Sequence, residues 1–288
     1  MVAPALGDVQ AYYDERVDGK LRDFTHPNPR IEAAIHLIAE WAPTQPRRIL
    51  EIGCGIGATP WRMARAWPQA EVIGADVSAD SIEVAKTCFQ RPNLTYRAGL
   101  IKDGVLEGKF DLIVMMDVYE HIAVADRPGL HAALKSLLSV ESRLIVTVPT
   151  PALQAAAANI PDGLQPVDED IGIEEIKTLS QNAAADLLYY RKLGIWEYGD
   201  YAHIVFGRFQ ELAPVAVRQN QPPEGLAALK QRVKRLVRGT EPSTGLKDYL
   251  GTDSGRPRSR DVAERFAVSL AERRRLASAW ADRKKAGR

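Results

Sequence analysis

Apolar positions recur along the chain with two alternating periods. Ile31, Ile35 and Ile38, with Ala34 and Trp41 beside them, share one helical face. Asn28-Pro29 supplies an N-cap and a first-turn proline ahead of that face, and Pro43 and Pro46 end it. Arg47 to Ile52 reads as a strand running into glycines. Thr59–Trp67 reads as a helix stopped by Pro68, and Glu71–Ala75 as a short buried strand ending at Asp76. Ser78 caps a helix reaching about Phe89. Leu94–Ala98 and Phe110–Met116 follow as strands, Gly129–Leu138 as a helix and Arg143–Val148 as a strand. Strands alternating with helices predict an α/β fold, a parallel sheet covered on both faces.

The rhythm breaks between Pro149 and Asp170, which hold four prolines, an Ala155–Ala158 run that suits a short helix, and the acidic Asp168-Glu169-Asp170. Ile171–Leu188 reads as helical, then Leu188–Ile195 and Tyr201–Phe209 as strands across a Trp196–Asp200 turn. A proline-containing linker, Gln219–Pro223, precedes a basic helix near Leu226–Val237, a Gly/Ser/Pro loop to about Pro257, and a long basic helix to Lys285. Residues 1–27 are polar with a few aromatics. The expected organisation is an N-terminal lid segment over 1–27, a main α/β domain over 28–218 and a basic helical extension over 219–288.

Charge adds one feature. The chain's net charge of +1 conceals 17 Lys and Arg against 8 Asp and Glu from Pro222 onward, a net of +9, and −8 for the rest. A basic tail on an acidic body reads as a solvated face or as an interaction arm. Val262, Phe266 and Leu270 could share an apolar stripe, which Arg273 to Arg275 interrupt. So broken a pattern favours docking on protein, the chain's own body or a second copy, over a lipid surface. The tail is expected to stand apart from the main α/β domain. With 45% hydrophobic and 26% charged residues the composition excludes global disorder. Two cysteines are too few for a disulfide framework or a zinc site. No apolar run is long enough for a membrane span, and the N-terminus lacks a signal-like pattern, so a soluble, cytoplasmic protein is expected.

The candidate chemistry begins at Glu51-Ile52-Gly53-Cys54-Gly55-Ile56-Gly57, between a strand and a helix. Glycines let the chain turn tightly and let a ligand approach the backbone, and the helix N-terminus turns its amides toward that ligand. Asp76 ends the next strand, where a carboxylate can accept both hydroxyls of a ribose. Two cofactors compete for such a turn. A dinucleotide would set its anionic pyrophosphate beside Glu51. S-adenosylmethionine brings a sulfonium and an ammonium and no phosphate, so Glu51 attracts it.

These residues, with Val72-Ile73-Gly74-Ala75-Asp76-Val77-Ser78, Phe110-Asp111-Leu112-Ile113-Val114 and Tyr119-Glu120-His121, resemble in order the motifs of class I S-adenosylmethionine-dependent methyltransferases. The resemblance covers about residues 30 to 209. It implies a Rossmann-like seven-stranded sheet whose last strand is antiparallel. It also implies that Glu51, Gly53 and Gly55 line the methionine end and that Asp76 holds the ribose. Cys54, Val77 and Asp117 complete the expected cofactor contacts. Where the family often has an acidic residue near the adenine, this chain has Ala98-Gly99-Leu100, which leaves that contact to the Leu100 backbone.

Methyl transfer to a hydroxyl needs a positioned acceptor and a group to take its proton. Asp117, Glu120 and His121 stand at the exit of the fourth strand and are the catalytic candidates, with His121 suited to base chemistry near neutral pH. Asp117-x-x-Glu120-His121 is also similar to the Glu-x-x-Glu-His run of ubiquinone-pathway O-methyltransferases, which implies a divalent metal as a possible but less favoured cofactor. His26, Asp168, Trp196, Tyr201 and His203 are the expected substrate-binding residues, and His36 and His131 are read as structural. Aromatic faces beside carboxylates suit a polyhydroxylated acceptor such as a sugar or glycan. The alternatives are an RNA methyltransferase using the basic tail, or a cofactor-binding adapter without catalysis.

Overall fold

A computed structural model describes residues 6–161, 163–208 and 264–286, all of which belong to one compact unit. In chain order the elements are α1 (Leu6–Asp14), α2 (Val17–Thr25), α3 (Pro29–Trp41), β1 (Arg48–Ile52), α4 (Ala58–Ala66), β2 (Glu71–Asp76), α5 (Ala79–Cys88), β3 (Leu94–Ala98), β4 (Phe110–Met116), α6 (Arg127–Leu137), β5 (Leu138–Pro149), α7 (Pro151–Ala157), α8 (Ile173–Ala183), β6 (Asp186–Leu193), β7 (Tyr201–Gly207) and α9 (Leu270–Lys285). A single 3-10 turn at Tyr119–His121 follows β4.

The seven strands form one sheet in the order β3-β2-β1-β4-β5-β7-β6. The pairs among β1 to β5 are parallel, and β7 runs antiparallel to both β5 and β6. The sheet expected from the resemblance is therefore present, its final strand reversed. Strands β1 and β4 are buried along nearly their whole length, as a sheet covered on both faces requires. One core cluster joins Ile49, Val72, Leu112 and Val114 to α2, α3, α4 and α5. The other joins Leu50, Ile113, Met115 and Val146 to α6 and α8. Sheet order reverses between β1 and β4, and their C-terminal ends open a crevice there, the usual ligand position in such sheets.

Several boundaries differ from expectation. Residues 6–25 form two helices, α1 and α2, that the polar composition hides. Val17, Leu21 and Phe24 are buried at i, i+4, i+7 and dock α2 on the core. Strand β5 starts five residues earlier than expected, at Leu138, directly after α6. Glu141 takes a left-handed conformation within it (φ 65), and the register against β4 shifts between Phe110 and Leu112. Helix α8 stops at Ala183 rather than near Leu188, because Ala184 turns left-handed (φ 50). The Ala155–Ala158 run belongs to α7, which starts earlier, at Pro151.

The extension needs a larger correction. The expected helix near Leu226–Val237, the loop to Pro257 and Val262 lie outside the described residues. The final helix begins at Leu270, capped by Ser269, so Phe266 precedes it and the proposed Val262–Phe266–Leu270 stripe does not form on it. Phe266 and Leu276 are buried instead in the same cluster as Val17, Leu21 and Phe24, with Ala277 and Trp280 packed against it. Residues 264–286 thus pack on the chain's own body and do not stand apart from the catalytic fold.

Candidate active site

A cavity of about 530 Å³ lies over the C-terminal ends of β1, β2, β3 and β4. Its floor is the β1–α4 turn. Gly53, Gly55 and Gly57 all have positive φ (74°, 51° and 87°), which only glycine adopts without strain. At Gly53 a side chain is also excluded by space, since a Cβ would stand 2.2 Å from Val118 Cγ2. The Ala75 carbonyl accepts from Gly53 N (2.7 Å) and Cys54 N (2.9 Å), fastening the turn to β2. Asp76 accepts from Gly55 N (2.7 Å) and Ser78 N (2.9 Å), which aims its carboxylate across the turn.

Every residue expected to bind the cofactor, Glu51, Gly53, Cys54, Gly55, Asp76, Val77, Leu100 and Asp117, lines this cavity. Glu51 is 2% exposed and its Oε2 is buried without a hydrogen-bond partner. Burial, with Asp76 nearby, raises its pKa well above the usual carboxylate value. A buried acceptor left over in a cavity wall calls for a donor from a ligand, and a cationic donor suits it best. Residues Gly99 to Lys102 supply the wall beyond β3, Leu100 among them. Together, the orphan Glu51 oxygen, the glycine turn and the Asp76 carboxylate fit S-adenosylmethionine.

The catalytic candidates separate into distinct places. Asp117 directly follows β4 in a left-handed conformation (φ 53) and pairs with Arg30 of α3 at 2.8 Å. Burial raises the Asp117 pKa against the pull of Arg30. Glu120 is 1% exposed, does not line the cavity, and has no hydrogen-bond partner on either oxygen. It lies behind His121, 3.7 Å from Nε2, and burial raises its pKa with Asp117 adding to it. Only His121 of the Glu-His pair reaches the cavity.

His121 is held from both sides. Its Nδ1 lies 2.9 Å from Asp168 Oδ1 and 2.8 Å from the Val167 carbonyl, two acceptors, so Nδ1 carries the proton. Its Nε2 accepts from Gln165 Nε2 at 2.9 Å, and Gln165 Oε1 accepts from Tyr13 OH at 2.8 Å. Burial opposes charge on His121, but Asp168 and Glu120 outweigh it and raise its pKa above the usual histidine value. The Pro149–Asp170 segment therefore supplies the support of His121.

None of the expected substrate residues lines the cavity. Asp168 faces His121 and does not line the cavity. Tyr201 is buried outside the cavity and accepts from Arg30 Nη1 at 3.3 Å, one step behind the Asp117 ion pair. Trp196 is 56% exposed and meets Tyr201 ring to ring at 5.7 Å. His26 is exposed on the helix end, its Nδ1 near the Arg22 carbonyl. His203 is buried in β7 between Thr147 and Arg191, and burial, with Arg191 adding, pushes its pKa down to about 4. Neither His26 nor His203 lines the cavity. His131 is structural as expected, bonded to Tyr119 OH (2.9 Å) and Asn182 Nδ2 (3.1 Å).

The cavity wall also takes in Lys20, Arg30 and Gln165, which the sequence did not single out, and Tyr13, one of the aromatics of residues 1–27. Lys20 of α2 reaches Ser81 Oγ at 3.4 Å and lies near Gly55. For Lys20 the available sequence signal is the apolar spacing Val17, Leu21 and Phe24 of α2 around it. Among the described residues, no group of three or more His, Cys, Asp or Glu side chains is placed to hold a metal ion. No helix among them is long and apolar enough to cross a membrane.

Comparison with known proteins agrees with this geometry. A family model described as a methyltransferase domain matches residues 49–141. A ubiquinone biosynthesis O-methyltransferase from Mesorhizobium japonicum is 45% identical over 87 residues, 29% of this chain and 34% of that protein. The chain thus spans about a third of the length of the curated relatives it matches. Human N-acetylserotonin methyltransferase in complex with SAM superposes with a TM-score of 0.52 at 14% identity, over 72% of this chain and 57% of that one. The PH0226 protein of Pyrococcus horikoshii gives 0.51 at 18% identity, over 62% and 89%. Matched domain, sheet order and glycine turn agree: the chain carries a methyltransferase domain of the class I, S-adenosylmethionine-dependent fold.

Proposed function

We propose that the chain is an S-adenosylmethionine-dependent O-methyltransferase acting on a hydroxylated small molecule. The observation that carries this reading is His121, a cavity-lining imidazole with Nδ1 fixed by Asp168 and Nε2 turned to an exchangeable partner, Gln165. When bound, S-adenosylmethionine supplies an electrophilic methyl group on a sulfonium. Glu51, the backbone of Gly53 and Gly55, and Asp76 would hold it, with Leu100 along the adenine.

His121 Nε2 receives the proton that the acceptor hydroxyl loses. Asp168 keeps the imidazole in the tautomer that can take it and stabilises the imidazolium that results. Gln165 yields its place on Nε2 to the acceptor. Asp117, neutralised by Arg30, sets the edge of β4 beside the reacting atoms and is not the base. Glu120 acts through His121 from behind.

Relatives named for ubiquinone biosynthesis O-methylation support transfer to oxygen. A polyhydroxylated acceptor such as a sugar or glycan is the finer reading, supported by the hydrogen-bonding groups Tyr13, Gln165 and His121 on the cavity wall. An RNA acceptor held by the tail is disfavoured, because Arg273, Arg283 and Lys284 are paired with Glu32, Glu83 and Asp18 of the body. The test is transfer of a labelled methyl group from S-adenosylmethionine to pooled sugars, small phenols and RNA. Label on sugars or phenols, lost in His121→Ala, supports the reading. Label on RNA alone, or no transfer by a protein that binds the cofactor, overturns it.

A further inference from the structure

Helix α2 contributes Lys20, Asp23 and Phe24 to the cavity, yet its last turn is fastened from the far end of the chain. Arg273 of α9 is 4% exposed and, with Glu32 and Arg62, also borders the cavity. Its Nη1 donates to the Phe24 carbonyl at 3.2 Å, and its guanidinium lies 5.2 Å from the Phe24 ring centroid. The last carbonyls of a helix have no partner within it, and a cation there also meets the negative end of the helix dipole. At the other end of α2, Lys284 pairs with Asp18 at 2.7 Å.

Helix α9 is in turn tied to the sheet's covering helices. Arg273 Nη2 donates to Glu32 of α3 at 2.7 Å. The same carboxylate takes both terminal nitrogens of Arg62 of α4, at 2.9 and 2.8 Å. Arg62 Nε donates to the Phe266 carbonyl at 2.7 Å, just ahead of α9. Arg283 pairs with Glu83 of α5 at 2.9 Å. The forked guanidinium of Arg273 thus bridges the Glu32–Arg62 pair and the last turn of α2, a nine-residue helix over the cavity.

We infer that α9 clamps α2 over the cofactor cavity, with Arg273 as the positioning residue, so that the C-terminal helix sets how long the cofactor stays bound. This rests on the cofactor reading above. Lys20 and Phe24 cover the cavity only while α2 holds its place, and the Arg273 and Lys284 contacts fasten its two ends.

The experiment measures S-adenosylmethionine affinity and dissociation rate in the full chain, together with amide hydrogen exchange in α2, β1 and β4. Arg273→Ala is expected to weaken binding about tenfold or more, the scale of a lost charge-assisted hydrogen bond, through faster dissociation. Exchange should speed up in α2 and stay slow in β1 and β4. Arg273→Lys, which keeps the charge and loses the fork, should fall between. Lys284→Glu should weaken binding about twofold to fivefold, and Asp18→Lys with Lys284→Glu should restore it. This pair decides the matter if Arg273→Ala does not fold. Unchanged α2 exchange overturns the clamp, whether affinity is unchanged or falls, since a fall alone would make Arg273 a direct wall of the cavity. Equal acceleration in α2, β1 and β4 also overturns it, making Arg273 a general support of the fold. If the wild-type chain does not bind S-adenosylmethionine, the cofactor reading falls, and the α2 exchange pattern alone judges the clamp.

Discussion

Asp168 Oδ1 lies 2.9 Å from His121 Nδ1, joining a loop of the Pro149–Asp170 segment to the 3-10 turn after β4. The carboxylate's other oxygen accepts from Gln165 N at 2.6 Å, so one side chain orients both the imidazole and the residue that caps it. Charge on His121 favours charge on Asp168, and the hydrogen bonds hold the Asp168 pKa below its ordinary value although burial works the other way.

His121→Ala should therefore lower turnover by about 10²–10⁴, with S-adenosylmethionine affinity close to wild type. The base must be neutral to accept a proton, and its pKa is raised, so activity should rise with pH through a value above that of an ordinary histidine. Asp168→Asn removes a cause of that rise. Its activity limb should move to lower pH while its maximum rate falls. A pH profile of kcat for the two proteins checks both; an unmoved limb would remove Asp168 from the role.

Glu51 makes a second prediction. Its free carboxyl is held protonated to unusually high pH by burial, and an ammonium beside it restores the carboxylate. Cofactor binding near pH 6.5, where an α-amino group is already protonated, should then release up to one proton from Glu51. Binding heats measured in buffers of different ionisation enthalpy report that number. Glu51→Gln should release none and bind more weakly. Equal heats in all buffers for wild type would contradict a cation at Glu51.

Gly53 tests the turn itself. Gly53→Ala combines a strained positive φ with overlap on Val118, and should abolish measurable cofactor binding. The left-handed conformation alone costs about 1–2 kcal/mol for a residue with a Cβ. Val118→Ala removes the two nearest atoms and should recover part of the binding in the double variant, leaving the φ strain. No recovery in titrations of the double variant would put the whole effect on the backbone.

Much of the sheet was legible because its information is local. Ile49-Leu50, Val72 and Leu112 to Val114 are apolar runs between glycine, proline or capping residues, and Asn28 and Ser78 are caps that bond as read. The glycine turn was legible for the same reason, since steric need and ligand approach act on single residues. The support of His121 was not. Asp168, Gln165 and Tyr13 reach it from a loop and from α1, and no spacing encodes a contact made by tertiary folding. Arg273 shows the same limit. In sequence it interrupts an apolar stripe, whereas the fold buries its guanidinium against Phe24 and Glu32.

His203 gives the last prediction, on stability. It is 4% exposed in β7, flanked in the sheet by Thr147 and Arg191, and its pKa is pushed down to about 4. In the unfolded chain it titrates near 6.5, so below that pH the unfolded state binds more protons than the folded state. The stability from neutral His203 is complete above about pH 6.5 and is lost as pH falls toward 4. Between pH 7.5 and 4.5 the shift corresponds to about 2–3 kcal/mol. His203→Leu has no proton to gain, so it should lose less stability over that interval by about this amount. Urea titrations of both proteins at the two pH values isolate the difference, because the carboxylates that also titrate there are common to both. Equal losses would mean that the β7 imidazole charges without cost, and that water or a carboxylate reaches it in the folded state.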